Sequence, residues 1–178
     1  MKKIFYSLMS ILLVASFMLF AVASGGDAET SGDGESKKTD TEQKAEMATY
    51  KLGETITVKN SSGEYKICFT NVKETTQRNQ FSDVEAKRVI LISYDYENIS
   101  CEDDLYISSM DMKVYDKDSN ILETYPATEE KSPSAVGKGR KGNGVLAYAL
   151  NNDNNYIEIE YYDNIFNSTS DCKVQVEW

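Results

Sequence analysis

From Tyr50 to the C-terminus, apolar residues recur at every second position in short runs, and clusters of Asn, Asp, Gly and Ser stop each run. A period of two sends alternate side chains to opposite faces of a strand. Such a chain folds by closing one face of a sheet against another layer. Thr55-Ile56-Thr57-Val58 is the first run, ended by Asn60-Ser61-Ser62-Gly63. Residues 64–72 follow, with Tyr65, Ile67 and Phe69 on one face; the alternation slips at Val72, the mark of a bulge. Residues 88–96 form the strongest strand. Ile90, Ile92, Tyr94 and Tyr96 share one face, and Val89 and Leu91 make the other face apolar at one end, which suits a central strand.

Met110, Met112 and Val114 alternate with charged residues, and Asp116-Lys117-Asp118-Ser119-Asn120 turns the chain into a further strand at 121–125. Strands are also expected at 145–150, at Ile157, Ile159 and Tyr161, and at Cys172, Val174, Val176 and Trp178. Seven or eight short strands without a long helical period predict an all-β sandwich or barrel.

The first 48 residues read differently. Lys2 and Lys3 precede an almost wholly apolar stretch to Phe20, and Ala21-Val22-Ala23 offers small residues to a signal peptidase. The stretch is short for a bilayer span, so residues 1–23 read as a signal peptide cut between Ala23 and Ser24. Ser24 stands where a bacterial lipoprotein would carry its lipid-modified cysteine. Residues 24–48 are too polar to bury surface that offsets chain entropy and read as a disordered linker. The folded domain is expected over 49–178.

Charge and composition exclude several functions. The chain carries 19 basic and 29 acidic residues, a net charge of -10, and without Lys2 and Lys3 the balance is -12. Such a surface repels phosphate backbones, which argues against nucleic acid as a partner. There is no histidine. A Ser-His-Asp triad, a Cys-His pair and a His-bearing zinc site are therefore unavailable. No catalytic residues, cofactor or metal are expected.

The opening Tyr50-Lys51-Leu52-Gly53-Glu54-Thr55-Ile56, the strand from Tyr65 to Val72, the run closing on Tyr96-Glu97-Asn98-Ile99-Ser100 and the late Gly142-Asn143-Gly144-Val145-Leu146-Ala147-Tyr148 together have a familiar look. They resemble the telokin-like domain called domain of unknown function 4352. The resemblance implies an immunoglobulin-like antiparallel β-sandwich in a secreted protein or lipoprotein of a Gram-positive bacterium, with no catalytic residues to carry over.

Few residues suggest chemistry. Cys68, Cys101 and Cys172 allow one disulfide in an exported chain, among three pairings that the sequence does not choose between; three reduced thiols are the alternative. Asp116 to Asn120 places oxygens at alternate positions as calcium loops do, but Ile121 and Ala127 stand where an EF-hand needs glycine and glutamate, so a hairpin turn is expected. Glu102-Asp103-Asp104 reads as a solvated loop. Lys138-Gly139-Arg140-Lys141-Gly142 is the one basic island, a candidate anion-binding loop through Lys138, Arg140 and Lys141. The twelve tyrosines suit either a contact surface or a sandwich core. Asn60, Asn98 and Asn167 head glycosylation sequons, relevant only to a eukaryotic source.

The reading is a secreted, non-enzymatic binding module, using a sheet face or the loops at one end. Its expected partner is an extracellular protein or cell-wall polymer, and it meets membrane only through the signal segment before cleavage. The alternatives are a secreted inhibitor of a host or competitor enzyme, or a lipoprotein-type surface domain if Ser24 replaces a native cysteine.

Overall fold

The computed structural model describes residues 47–178. The leader, the cleavage point at Ala23 and Ser24, and nearly all of the linker lie outside the described residues. Eight strands form two four-stranded sheets packed face to face. One sheet has the order β1 (Ala48–Lys51), β8 (Cys172–Glu177), β7 (Tyr156–Tyr161), β5 (Met112–Asp116). The other runs β2 (Thr55–Asn60), β3 (Gly63–Thr75), β4 (Arg88–Asn98), β6 (Lys141–Leu150). For brevity these are the β5–β7–β8 sheet and the β3–β4–β6 sheet.

Alternation decides the layers. Ile67, Phe69, Ile90, Ile92, Tyr94, Tyr96, Leu146 and Tyr148 point inward from one sheet, and Val114, Ile157, Ile159, Val174 and Val176 from the other. All are buried. The slip near Val72 is a bulge: the β3–β4 register shifts between Phe69 and Asn71, which returns Val72 to the inner face opposite Ile92.

The sheets are antiparallel with one exception, the parallel pair β1–β8. A tight turn through Gly53, whose φ is +84°, carries the chain from the edge of one sheet to the edge of the other. β1 is thereby left beside β8 in the same direction. β1 begins at Ala48, one residue before the boundary that composition suggests. The strand expected at 121–125 is reduced to isolated bridges: Ile121 pairs with Tyr115 of β5, and Thr124 with Tyr148 of β6. A segment that changes partner between sheets cannot run a ladder with either.

Two tyrosines of β4 lie across β6. Tyr94 faces Gly144 and Tyr96 faces Gly142. A Cβ on Gly144 would stand 2.5 Å from the Tyr94 ring, and one on Gly142 2.3 Å from the Tyr96 ring. Glycine is required there for close approach. The ring of Tyr94 then reaches across the core, where its hydroxyl donates to the Ile107 carbonyl at 2.7 Å.

On the outer face of the β3–β4–β6 sheet, Val89, Leu91, Ala147 and Ala149 form a second apolar cluster under Tyr125. At the same end, Arg88 of β4 donates to the Asn154 carbonyl and the Asn155 side chain, and its guanidinium lies 5.9 Å from the ring of Trp178.

The Tyr148 hydroxyl is buried without a hydrogen-bond partner, whereas that of Tyr94 is paired. Removing a paired hydroxyl orphans its acceptor, while removing an unpaired one relieves a desolvation cost. Tyr94→Phe should therefore lower stability by about 1 kcal/mol and Tyr148→Phe should leave it unchanged or raise it. Urea unfolding midpoints of the two variants check the contrast.

Candidate functional site

The outer faces of the two sheets differ in how their central charges are paired. On the β5–β7–β8 sheet, register places Lys113, Glu160 and Lys173 in one row and Tyr115, Glu158 and Gln175 in the next. Lys173 bridges Glu158 at 2.6 Å and Glu160 at 3.2 Å, Gln175 donates to Glu158, and Lys113 sits 4.8 Å from the ring of Tyr162. The hydrogen bonds from Lys173 and Gln175 outweigh burial and hold the Glu158 carboxyl below its ordinary value. The centre of this face is compensated from within, while Lys51 and Glu177 stand exposed away from it.

The other sheet is compensated only in part, Lys73 pairing with Glu129 and Lys141 with Glu97. Beyond the apolar cluster, its outer face carries two cross-strand rows: Thr57, Lys66, Glu97 and Lys141, then Thr55, Cys68, Asp95 and Asn143. Residues 131–136 run along the edge of β6, tied by Lys131 to Val145 and by the backbone of Ser134 to the Tyr96 hydroxyl. Sheet and segment enclose an open groove of about 740 Å³, with Lys66, Cys68, Asp95, Glu97, Lys131 and Lys141 in its lining. Glu97 pairs with Lys141 at 3.3 Å, and Lys131 donates to the Asn143 side chain. Lys66 and Asp95 have no ion pair or side-chain hydrogen bond among the described residues, although they stand on adjacent strands one rung apart.

The basic island meets this groove at one residue. Lys141 opens β6 and lines the groove; Lys138 and Arg140 are exposed in the turn before it. The backbone amides of that turn are already engaged. Gly139 N–H donates to the Asn98 carbonyl at 2.7 Å and Arg140 N–H to the Gly137 carbonyl at 3.0 Å, so these two amides hold the turn itself.

The three cysteines are free thiols in this structure. Cys101 and Cys172 are buried; Cys68 is half-exposed on the groove floor. Burial, and then the Asp95 carboxylate, raise the Cys68 thiol above its ordinary value, and burial pushes Cys172 up to about 12. None is poised as a thiolate nucleophile.

Asp116 is no open cation ligand. Its carboxylate accepts from the backbone N–H of Asp118 at 2.9 Å and of Asn120 at 2.8 Å, and from the side chains of Asn120 and Asn152. Glu102, Asp103 and Asp104 are exposed, and among the described residues no group of three or more Cys, Asp and Glu is disposed to hold a metal. Of the sequon asparagines, Asn98 is fully buried: its side chain donates to Asp103 and Val136 carbonyls and accepts from Cys101 N–H, a structural role closed to glycan.

A second feature escaped the sequence. Tyr106, Met110, Ile165 and Phe166 are exposed on loops at one end of the sandwich, which are joined by the Tyr162 N–H to Asp111 carbonyl bond. Phe166 is 89% exposed. Tyr106, Ile165 and Phe166 give no periodic signal, and Met110, which the alternation assigns to a strand with Met112 and Val114, instead lies in a 3-10 turn ahead of β5, so only the structure gathers them.

Two packed sheets with this strand order make the protein an immunoglobulin-like β-sandwich. The chain belongs to the family defined by the domain of unknown function DUF5067, whose pattern matches residues 29–163. Among solved structures it is similar to the secreted protein MPT63 of Mycobacterium tuberculosis, at 14% identity and a TM-score of 0.58, covering 75% of this chain and 99% of that one. It is also similar to the yjhA protein of Bacillus subtilis, at 20% identity and a TM-score of 0.51, covering 72% of this chain and 98% of that one. At these identities the likeness shows the fold alone. No curated protein matches the chain.

Two outcomes follow. In the native protein Cys68 should be the one thiol of three that iodoacetamide reaches, with Cys101 and Cys172 reacting only after unfolding; adduct counts by intact mass check this. For Asp116, burial favours the neutral acid, but the donors around the carboxylate prevail and hold its pKa below the ordinary value. Its contribution is therefore present above an unfolded value of about 4 and fades as pH falls through the lower folded one. Asp116→Ala should cost about 2 kcal/mol near neutrality, with the gap to wild type closing below about pH 4, as read from denaturation curves across pH.

Proposed function

We propose that this protein is an extracellular, non-enzymatic binding module whose ligand rests in the groove on the outer face of the β3–β4–β6 sheet. The observation that carries the reading is the contrast between the two outer faces. The central carboxylates of one sheet are answered by Lys173, while Lys66 and Asp95 on the other stand unpaired in an open groove. An unpaired charge at the surface is solvated and costs the fold little, so it is available to a ligand.

Export is supported by the leader pattern of Lys2 and Lys3, the apolar run and the small residues before Ser24. The description of MPT63 as a secreted protein agrees with it. A Gram-positive cell envelope rests on the resemblance to domain of unknown function 4352, and a lipid tether would need a cysteine at Ser24. The absence of histidine, and thiols held protonated, favour binding over catalysis.

A second reading draws on the exposed Tyr106, Met110, Ile165 and Phe166. Apolar and aromatic residues on loop tips suit a protein partner, as a secreted inhibitor would require.

Binding to cell-wall polymers and to extracellular proteins separates the two. The double variant Lys66→Met, Asp95→Asn should weaken groove binding by about tenfold or more, while Lys173→Met on the opposite face leaves it intact. Loss of binding in Met110→Ser, Phe166→Ser with the groove variant unaffected would move the site to the loops. Substrate turnover by the purified protein would end the non-enzymatic reading.

A further inference from the structure

The geometry points to a small zwitterion as the ligand: an amino acid or short peptide that presents a carboxylate and an ammonium group together. This inference rests on the groove being the binding face and names what the groove selects. The sign pattern of the floor is its basis. Along the first row the charges read plus, minus, plus from Lys66 through Glu97 to Lys141, and Asp95 lies one rung away on the same face. Glu97 and Lys141 answer each other. What remains on the floor is one ammonium, Lys66, and one carboxylate, Asp95, on neighbouring strands; at the rim the Lys131 ammonium is engaged by the Asn143 side chain.

Diagonal neighbours across antiparallel strands lie roughly 7 Å apart, and the flexible lysine stem adjusts that span. A ligand carboxylate on Lys66 and a ligand ammonium on Asp95 would satisfy both groups at once. Thr55 and Asn143 complete the second row with neutral hydrogen-bonding groups suited to the amides between the two ends. The groove volume, about 740 Å³, accommodates such a molecule.

A polyanion fits less well. Lys66, Lys131 and Lys141 would attract it, but it would have to pass over Glu97 and Asp95 to join them, and those like charges oppose it. A neutral glycan would leave both unpaired charges where they are.

Cys68 stands opposite Asp95 and two residues along β3 from Lys66, and it reports on both, since it shares the floor and is the half-exposed thiol. The test measures the rate at which iodoacetamide alkylates Cys68 in the full protein. The probes are an equimolar mixture of di- and tripeptides of Gly, Ala and Ser with free termini, the same mixture N-acetylated, the same mixture as C-terminal amides, and polyphosphate. The free peptides should slow alkylation several-fold and each blocked mixture should do so much less. Lys66→Met should erase the advantage of free peptides over the amides, and Asp95→Asn their advantage over the acetylated forms; both changes are at exposed or half-exposed positions, and urea midpoints confirm that the variants fold.

Equal protection by free and blocked peptides would overturn the zwitterion while leaving the groove as the site. Protection by polyphosphate with none from peptides would replace it with an anion site. If neither peptides nor polyphosphate protect, the zwitterion falls. If cell-wall polymers and extracellular proteins also bind the Lys66→Met, Asp95→Asn variant as well as wild type, the groove reading falls with it.

Discussion

The architecture depends on β4 being required on both of its faces. Its inner residues, Ile90, Ile92, Tyr94 and Tyr96, seal the core against the opposite sheet. Its outer residues change character along the strand, from Val89 and Leu91 under the covering loops to Asp95 and Glu97 in the open. Hydrophobic burial fixes the first half of that outer face, and solvation leaves the second half free. The groove begins where the apolar cover stops, so the site is a by-product of how one strand divides its surface between packing and water.

Close approach is the second element of that design. Gly142 and Gly144 let the Tyr96 and Tyr94 rings lie directly across β6, with the Tyr96 hydroxyl then anchoring the segment at Ser134. That segment forms the rim of the groove. A packing requirement inside the sandwich thereby positions a surface feature outside it, and the sequence Gly-Asn-Gly links the two: both glycines face inward, and Asn143 between them faces the groove.

Much of this was legible in the chain. The period-two runs located β2, β3, β4, β7 and β8; the slip at Val72 marked the bulge, and Val89 with Leu91 marked β4 as central. What stayed hidden was whatever tertiary pairing decides. β1 has no alternation of its own and is a strand because β8 lies beside it. Residues 121–125 alternate well, yet they divide their bonds between β5 and β6. The groove was hidden for a related reason. Lys66, Asp95 and Asn143 are each unremarkable polar positions on separate strands, and only the register brings Cys68, Asp95 and Asn143 into one row. Lys141 stands out in the sequence for its neighbours in the basic turn, but its place in the structure is the groove.

The contact between Arg88 and Trp178 joins the residue that follows β8 in one sheet to the first residue of β4 in the other. Trp178 is the sole tryptophan in the chain. Nature has thus supplied a single indole at the seam between the two layers, and its fluorescence is a built-in gauge of whether they are closed.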